Sequence, residues 1–134
     1  MAYWLLKTEP GSYAFADLQR EGRTAWTGVK NPTAQKHLRA MKAGDRAAVY
    51  HTGDEKAAVG VAEVAGAAYP DPGGGGSLSC VDLVPVEPLP APVTLAALKA
   101  HPAFAGSPLV SQGRLSVVPL DAAQWKALLA LARG

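Results

Sequence analysis

His37, His51 and His101 are the histidines of this chain, and they stand far apart in the sequence. Without a close pair or a Cys–His spacing they form no zinc motif, so no metal is expected. His37 and His101 read as structural or solvated side chains. The single cysteine, Cys80, falls inside a predicted strand with no neighbouring base or helix N-terminus to lower its pKa, which describes a buried, inert thiol. Four consecutive glycines, Gly73 to Gly76, lack the Gly-Lys-Ser/Thr ending of a phosphate loop. The carboxylates are scattered over turns and edges rather than paired. Glu9 differs because it follows a strand and precedes Pro10; there it could accept hydrogen bonds from a ligand or from neighbouring backbone. With neither nucleophile nor metal beside Glu9 or His51, the chain reads as a non-enzyme that needs no cofactor.

Binding is better provided for than catalysis. Trp26 lies in a stretch with no periodic pattern, close to Gly28, whose missing side chain permits close backbone approach. Its ring could line a pocket or pack in the core. Trp4, in a strand, and Trp125, on an amphipathic helix, have a ready core explanation. Asn31 precedes Pro32 as a helix cap would, although its amide could also read a base edge.

The elements that must position these residues are marked by breakers and periodicity. Ala2 to Leu6 reads as a strand closed by Glu9-Pro10-Gly11, and Ser12 as the cap of a helix from Tyr13 to Glu21. Arg23 to Lys30 reads as a non-helical approach to a helix from Pro32 to about Met41. Strands follow at Arg46 to His51 and Ala57 to Val64, divided by the Gly53-Asp54 turn. Residues 66–77 carry too many breakers for an element and predict a flexible surface loop. Leu78 to Val84 alternates as a strand, and the four prolines of residues 85–92 predict a stiff, extended connection. Thr94 caps a helix to Ala100, which Pro102 ends. Arg114 to Val118 is a late strand, and Asp121 with Gln124 forms a capping box for a last helix. That helix carries an apolar stripe of Trp125, Leu128, Leu129 and Ala132.

The order lacks the regular strand–helix alternation and glycine-rich turn of a doubly wound nucleotide fold. An α+β fold is expected instead: a small β-barrel or strongly bent mixed sheet of about five to six strands, flanked by helices. At 134 residues the chain makes one domain over 1–134. With 49% apolar and 18% charged residues it has enough to bury for independent folding. A formal charge of +2 neither draws nucleic acid from a distance nor repels it. Lys7, Glu9 and Pro10 interrupt the first apolar run, so no signal peptide or membrane span is expected, and a lone cysteine suits a cytoplasmic setting. A monomer is expected.

Several segments occur together in the order of a known family. They are Tyr3-Trp4-Leu5-Leu6-Lys7-Thr8-Glu9-Pro10, Trp26-Thr27-Gly28-Val29-Lys30-Asn31, Met41-Lys42-Ala43-Gly44-Asp45, Val49-Tyr50-His51-Thr52, Val59-Gly60-Val61-Ala62-Glu63-Val64 and Tyr69-Pro70-Asp71. With Arg114-Leu115-Ser116-Val117-Val118-Pro119 near the end, the whole chain resembles the EVE domain family of the PUA-like superfamily. The resemblance implies a PUA-like β-barrel with a pocket for a modified base and a non-catalytic reader of nucleic acid, modified cytosine in DNA being favoured. Methylated adenine in RNA, a small enzyme acting on a nucleoside or cofactor, and a protein-interaction module using the proline-rich segment stay open as alternatives. It further implies Trp26 as an aromatic wall, with Lys7, Thr8 and Glu9 on one side and Gly28, Val29, Lys30 and Asn31 on another. His51 and Thr52 would close the pocket from the end of a strand. Arg23, Lys36, Arg39 and Lys42 are candidate phosphate contacts, and Arg114 is either a phosphate contact or half of an internal ion pair.

The chain also departs from the family pattern. Thr8 stands where a serine is common and keeps the hydroxyl. Lys30-Asn31-Pro32-Thr33-Ala34-Gln35 replaces a common Arg-Asn-Tyr-Gln-Ala-Arg, which removes groups that could touch base or phosphate. The segment after Tyr69-Pro70-Asp71 is cut to a glycine-rich bridge, from which a more open pocket is expected.

Overall fold

Trp4, Leu5 and Leu6 are all buried, because the first strand is sandwiched between two others. The computed structural model describes every residue from Met1 to Gly134. Strand β1 (Tyr3–Thr8) runs parallel to β3 (Arg46–His51) and antiparallel to β7 (Val117–Leu120). Its pairing continues to Thr8 opposite His51, two residues beyond the expected end. Lys7 does not stop it, since its aliphatic stem stays half-buried while its ammonium reaches the carbonyl of Gly113 at 2.9 Å.

Helix α1 (Phe15–Glu21) starts two residues later than expected. Ser12 is not its cap; its N–H closes a turn on the Glu9 carbonyl, and the Asp17 carboxylate instead accepts the Ala14 N–H at 2.8 Å. Phe15 lies against Gly60, where an added Cβ would sit 2.4 Å from the ring. The segment expected to be non-helical contains a strand, β2 (Thr24–Trp26), too short for its alternation to show. Helix α2 (Pro32–Ala40) begins as expected: Asn31 Oδ1 accepts the Ala34 N–H at 3.0 Å and Pro32 occupies the first turn.

β3 and β4 (Ala57–Val64) have the expected bounds. Within residues 66–77, expected to hold no element, Tyr69–Pro70 forms a two-residue strand β5. β6 (Ser79–Thr94) is the larger departure, because the proline-rich connection is part of one 16-residue strand. Pro85 pairs with Ala62 and Pro88 with Gly60, while β2 and β5 take the opposite side of β6 only between Ser79 and Leu83. Beyond that point β6 is an edge, where a residue without N–H loses no ladder bond and discourages pairing with another chain.

Thr94 caps α3 (Leu95–Ala100), a short 3₁₀ turn covers Pro102–Phe104, and α4 (Pro108–Ser111) precedes β7. β7 begins three residues later than expected and tolerates Pro119 because it is the other edge of the sheet. Asp121 and Gln124 form the expected capping box of α5 (Ala122–Arg133) at 2.7 and 2.9 Å. Trp125, Leu128 and Ala132 enter the core, and Leu129 is partly buried against it. No helix is long and apolar enough to cross a membrane.

The sheet order is β2-β6-β4-β3-β1-β7, with β5 attached to β6. Register shifts at Val49/Tyr50, Ala58/Gly60 and Val61/Ala62 bend the β3–β4–β6 centre. The sheet curls so far that β2, at one edge, faces the end of β1 and the entry to β7 near the other. The resulting half-barrel is an α+β, PUA-like fold, and its open seam holds the largest cavity.

Candidate functional site

The seam cavity has a volume of about 440 Å³, within the range of small-ligand pockets. One wall is the end of β1 and the entry to β7, where Lys7, Thr8 and Glu9 stand beside Ser116, whose carbonyl accepts the Lys7 N–H at 2.9 Å. The other is β2 and the loop after it, from Thr24 to Lys30, and Tyr13 closes the corner between the walls. Trp26 and Tyr13 meet edge to face, with ring centroids 6.0 Å apart and planes at 85°. A flat ligand stacked on one ring would therefore meet the other side-on.

The strand wall is fixed by the sheet. Lys7 and Thr8 sit opposite Tyr50 and His51, and the Lys7 ammonium lies 5.7 Å from the Tyr50 ring centre. Burial lowers the Lys7 pKa from the usual lysine value. The Thr8 hydroxyl donates to the Tyr13 carbonyl at 2.7 Å, so its proton is spent on holding the turn that presents Tyr13. The Tyr13 hydroxyl donates to Glu21 at 2.6 Å; burial, reinforced by that carboxylate, raises its pKa and keeps the phenol neutral. Glu9 is exposed at the rim, with the Thr52 hydroxyl 3.4 Å away.

The loop wall is held by side chains distant in sequence. Gly28 has φ +77°, a left-handed conformation that favours glycine, and its N–H donates to buried Asp71 at 2.9 Å. The second oxygen of Asp71 accepts the Gly73 N–H at 2.8 Å, so one carboxylate ties the pocket loop to the glycine-rich segment. Gln35, also buried, donates to the carbonyls of Val29 at 2.6 Å and Ser79 at 3.0 Å, and accepts the Ser79 N–H at 2.8 Å. The glycine-rich bridge therefore braces the loop from behind, and only Asp71, Pro72 and Gly73 reach a smaller cavity on its far side.

Of the residues expected at the pocket, Trp26, Lys7, Thr8, Glu9, Gly28, Val29 and Lys30 come together around the cavity. Asn31, His51 and Thr52 do not line it. Asn31 is occupied in capping α2. His51 is buried, with Nε2 accepting the Phe15 N–H at 3.0 Å; its ring proton then lies on Nδ1, facing Glu55 at 2.9 Å. Thr52 lies on the neighbouring groove. None of the expected phosphate contacts reaches the cavity: Arg23 pairs with Asp82 at 2.9 Å, Arg39 borders a separate cleft with Tyr69, and Lys36, Lys42 and Arg114 are exposed elsewhere. Tyr13, Thr24, Ala25, Thr27 and Ser116 also line the cavity without having been anticipated. Tyr13 could have been suspected from its place beside the Glu9-Pro10-Gly11 turn; Ser116 gave no local signal.

Comparison with known proteins bears on this geometry. The EVE domain profile matches residues 2–131. The chain belongs to the EVE domain family. A protein of Rhodopseudomonas palustris solved by NMR is 43% identical, superposes with a TM-score of 0.92, and aligns over 99% of this EVE chain and 94% of its own. The crystal structure of human THYN1 protein in complex with DNA containing 5-methylcytosine is 30% identical with a TM-score of 0.89, covering 100% of this chain and 99% of that one. Chicken thymocyte nuclear protein 1 is 38% identical over 81 residues, which span 52% of this chain and 34% of the chicken protein. A Zygosaccharomyces rouxii YTH domain, solved with N6-methyladenosine RNA, is 18% identical with a TM-score of 0.62 over 98% of this chain and 86% of its own, and shares the fold.

Proposed function

We propose that this EVE domain is a non-catalytic reader of a modified base in nucleic acid, with modified cytosine in DNA the favoured ligand. The observation that carries the reading is the Trp26–Tyr13 corner inside a cavity of about 440 Å³ at the open seam of the sheet. The full-length likeness to the human protein crystallised with 5-methylcytosine DNA supports it.

An extruded base stacks on Trp26, worth about 1–3 kcal/mol, while its edge meets Tyr13. Polar groups of the two walls, among them Thr27, Ser116, Glu9 and the backbone of Thr27 to Lys30, face its hydrogen-bonding edge. Lys7 and Lys30 stand at the mouth, where the sugar–phosphate chain must leave. Extrusion from a duplex costs a few kcal/mol, so single-stranded or distorted sites bind more readily than paired ones. One methyl group in an apolar contact is worth about 1–3 kcal/mol, which gives a preference rather than an absolute choice.

The test is a titration at fixed salt against short single- and double-stranded DNA and RNA carrying cytosine, 5-methylcytosine, 5-hydroxymethylcytosine or N6-methyladenine. A preference of about tenfold or more for modified cytosine in DNA, or about 1.4 kcal/mol, is expected. Uniform, weak, salt-governed binding overturns the reading, and a preference for methylated adenine in RNA reassigns the ligand. Trp26→Leu, which keeps an apolar side chain in the core, should lower affinity for the preferred oligonucleotide about tenfold to a hundredfold.

A further inference from the structure

A second cavity, about 210 Å³, adjoins the seam pocket on the β1–β3 side. Its floor is apolar, from Tyr50, Leu95 and Leu109, and its charged lining is Lys7, Lys56 and Lys99 with no carboxylate. Like the other lysines of the molecule, Lys7, Lys56 and Lys99 have no acidic partner within 4.0 Å; what sets them apart is that they share one cavity. Lys56 has φ +43°, a backbone region costly for a lysine, and its carbonyl is fixed by the Leu95 N–H at 2.8 Å. Sequence alone drew no attention to Lys56 or Lys99.

The two cavities are adjacent. Lys7 lines both, and a Cβ added at Gly53 of the second would lie 3.6 Å from the Glu9 carboxylate at the rim of the first. We propose that Lys7, Lys56 and Lys99 form a groove for the phosphates on one side of the bound base, so that the nucleic-acid strand crosses the protein from this groove into the seam pocket. The inference rests on the base-reader proposal. Cations without acidic partners can release the counterions of a phosphate chain without first breaking an ion pair, which is the sequence-independent part of nucleic-acid affinity. The shared Lys7 selects a nucleic-acid strand over a separate acidic partner, because it puts the groove next to the base cavity.

The experiment compares wild type with the double variant Lys56→Asn, Lys99→Gln; asparagine tolerates the left-handed backbone at position 56. The ligands are a single-stranded DNA pentamer with 5-methylcytosine at its centre, the unmodified pentamer and 5-methyldeoxycytidine nucleoside. The slope of log affinity against log salt should become shallower by about 1.4, corresponding to two lost contacts on a single strand, and pentamer affinity at low salt should fall about tenfold. Nucleoside affinity and the modified-to-unmodified ratio should not move. Lys126→Gln with Arg133→Gln, which removes the same charge from exposed positions on α5, should leave the slope unchanged. An unchanged slope in the first variant, or an equal change in the second, overturns the groove. So does lysine-dependent binding of hexaglutamate with the nucleic-acid slope intact, which would mark a protein partner instead. If wild type shows no preference for the modified base while the slope still responds to Lys56 and Lys99, the groove stands and the base reading fails.

Discussion

The two walls of the seam pocket are built by different means. Lys7 and Thr8 belong to a strand paired with β3 throughout and with β7 over most of its length, so moving them means breaking the β1–β3 ladder. Thr27 to Lys30 have no strand partner; their position depends on one carboxylate, Asp71, and one amide, Gln35, reaching from 43 and 6 residues away. The strand wall is a fixed frame and the loop wall is adjustable. Substitution on the loop side can therefore retune the ligand without unfolding the domain; Lys30 lies on this wall, and the glycine-rich segment braces it through Asp71.

The comparison breaks most sharply at Asp71. Asp71→Ala removes the acceptor of both the Gly28 and Gly73 N–H groups and should cost about 3 kcal/mol by chemical denaturation, with at least a tenfold loss of binding. Retained affinity would mean that the loop holds its shape without this tie. Gln35→Leu leaves the Val29 carbonyl and the Ser79 backbone unpaired and should cost about 2 kcal/mol, again with a loss of binding. Gly28→Ala meets no neighbour within 4 Å, so its expected cost of about 1 kcal/mol is purely that of the left-handed backbone. On the strand wall, Thr8→Val should lose no more than about 1 kcal/mol of stability, because the ladder around it persists.

The smallest effect is expected at alkaline pH. Lys7 has a lowered pKa in the folded state, so the folded protein gives up this proton before the unfolded chain does. Its charge, and with it phosphate binding, should begin to fade below the usual lysine value of 10.5, while its contribution to stability rises through the same interval. A pH titration of oligonucleotide affinity that stays flat up to that value would exclude Lys7 from the contact.

Much of the frame was legible in the sequence because its signals are local. Asn31-Pro32 and Asp121 with Gln124 state the starts of α2 and α5 within a few residues, and the Gly53-Asp54 turn divides β3 from β4. The misses are long-range. Three residues of β2 cannot display alternation, and the prolines of β6 looked like a tether because nothing in the sequence tells that their missing N–H groups face an unpaired edge. At the pocket, Trp26, Lys7, Thr8 and Glu9 line the cavity, whereas His51 and Asn31 are occupied by the starts of α1 and α2. Asp71 was recognised as part of a motif without a role, since its partner Gly28 lies 43 residues earlier.

The most direct test is nuclear magnetic resonance of the three tryptophan indole N–H groups during titration with a short single-stranded DNA carrying 5-methylcytosine. Trp4 is bonded to Asp45 at 3.1 Å, Trp125 is stacked on Tyr3 at 4.9 Å, and neither lines the seam pocket, so both serve as internal references. The account predicts a large, saturable shift at Trp26, with smaller ones at the backbone N–H groups of Thr27 and Gly28, and little change at Trp4 and Trp125. Saturable binding that leaves Trp26 unmoved would contradict it.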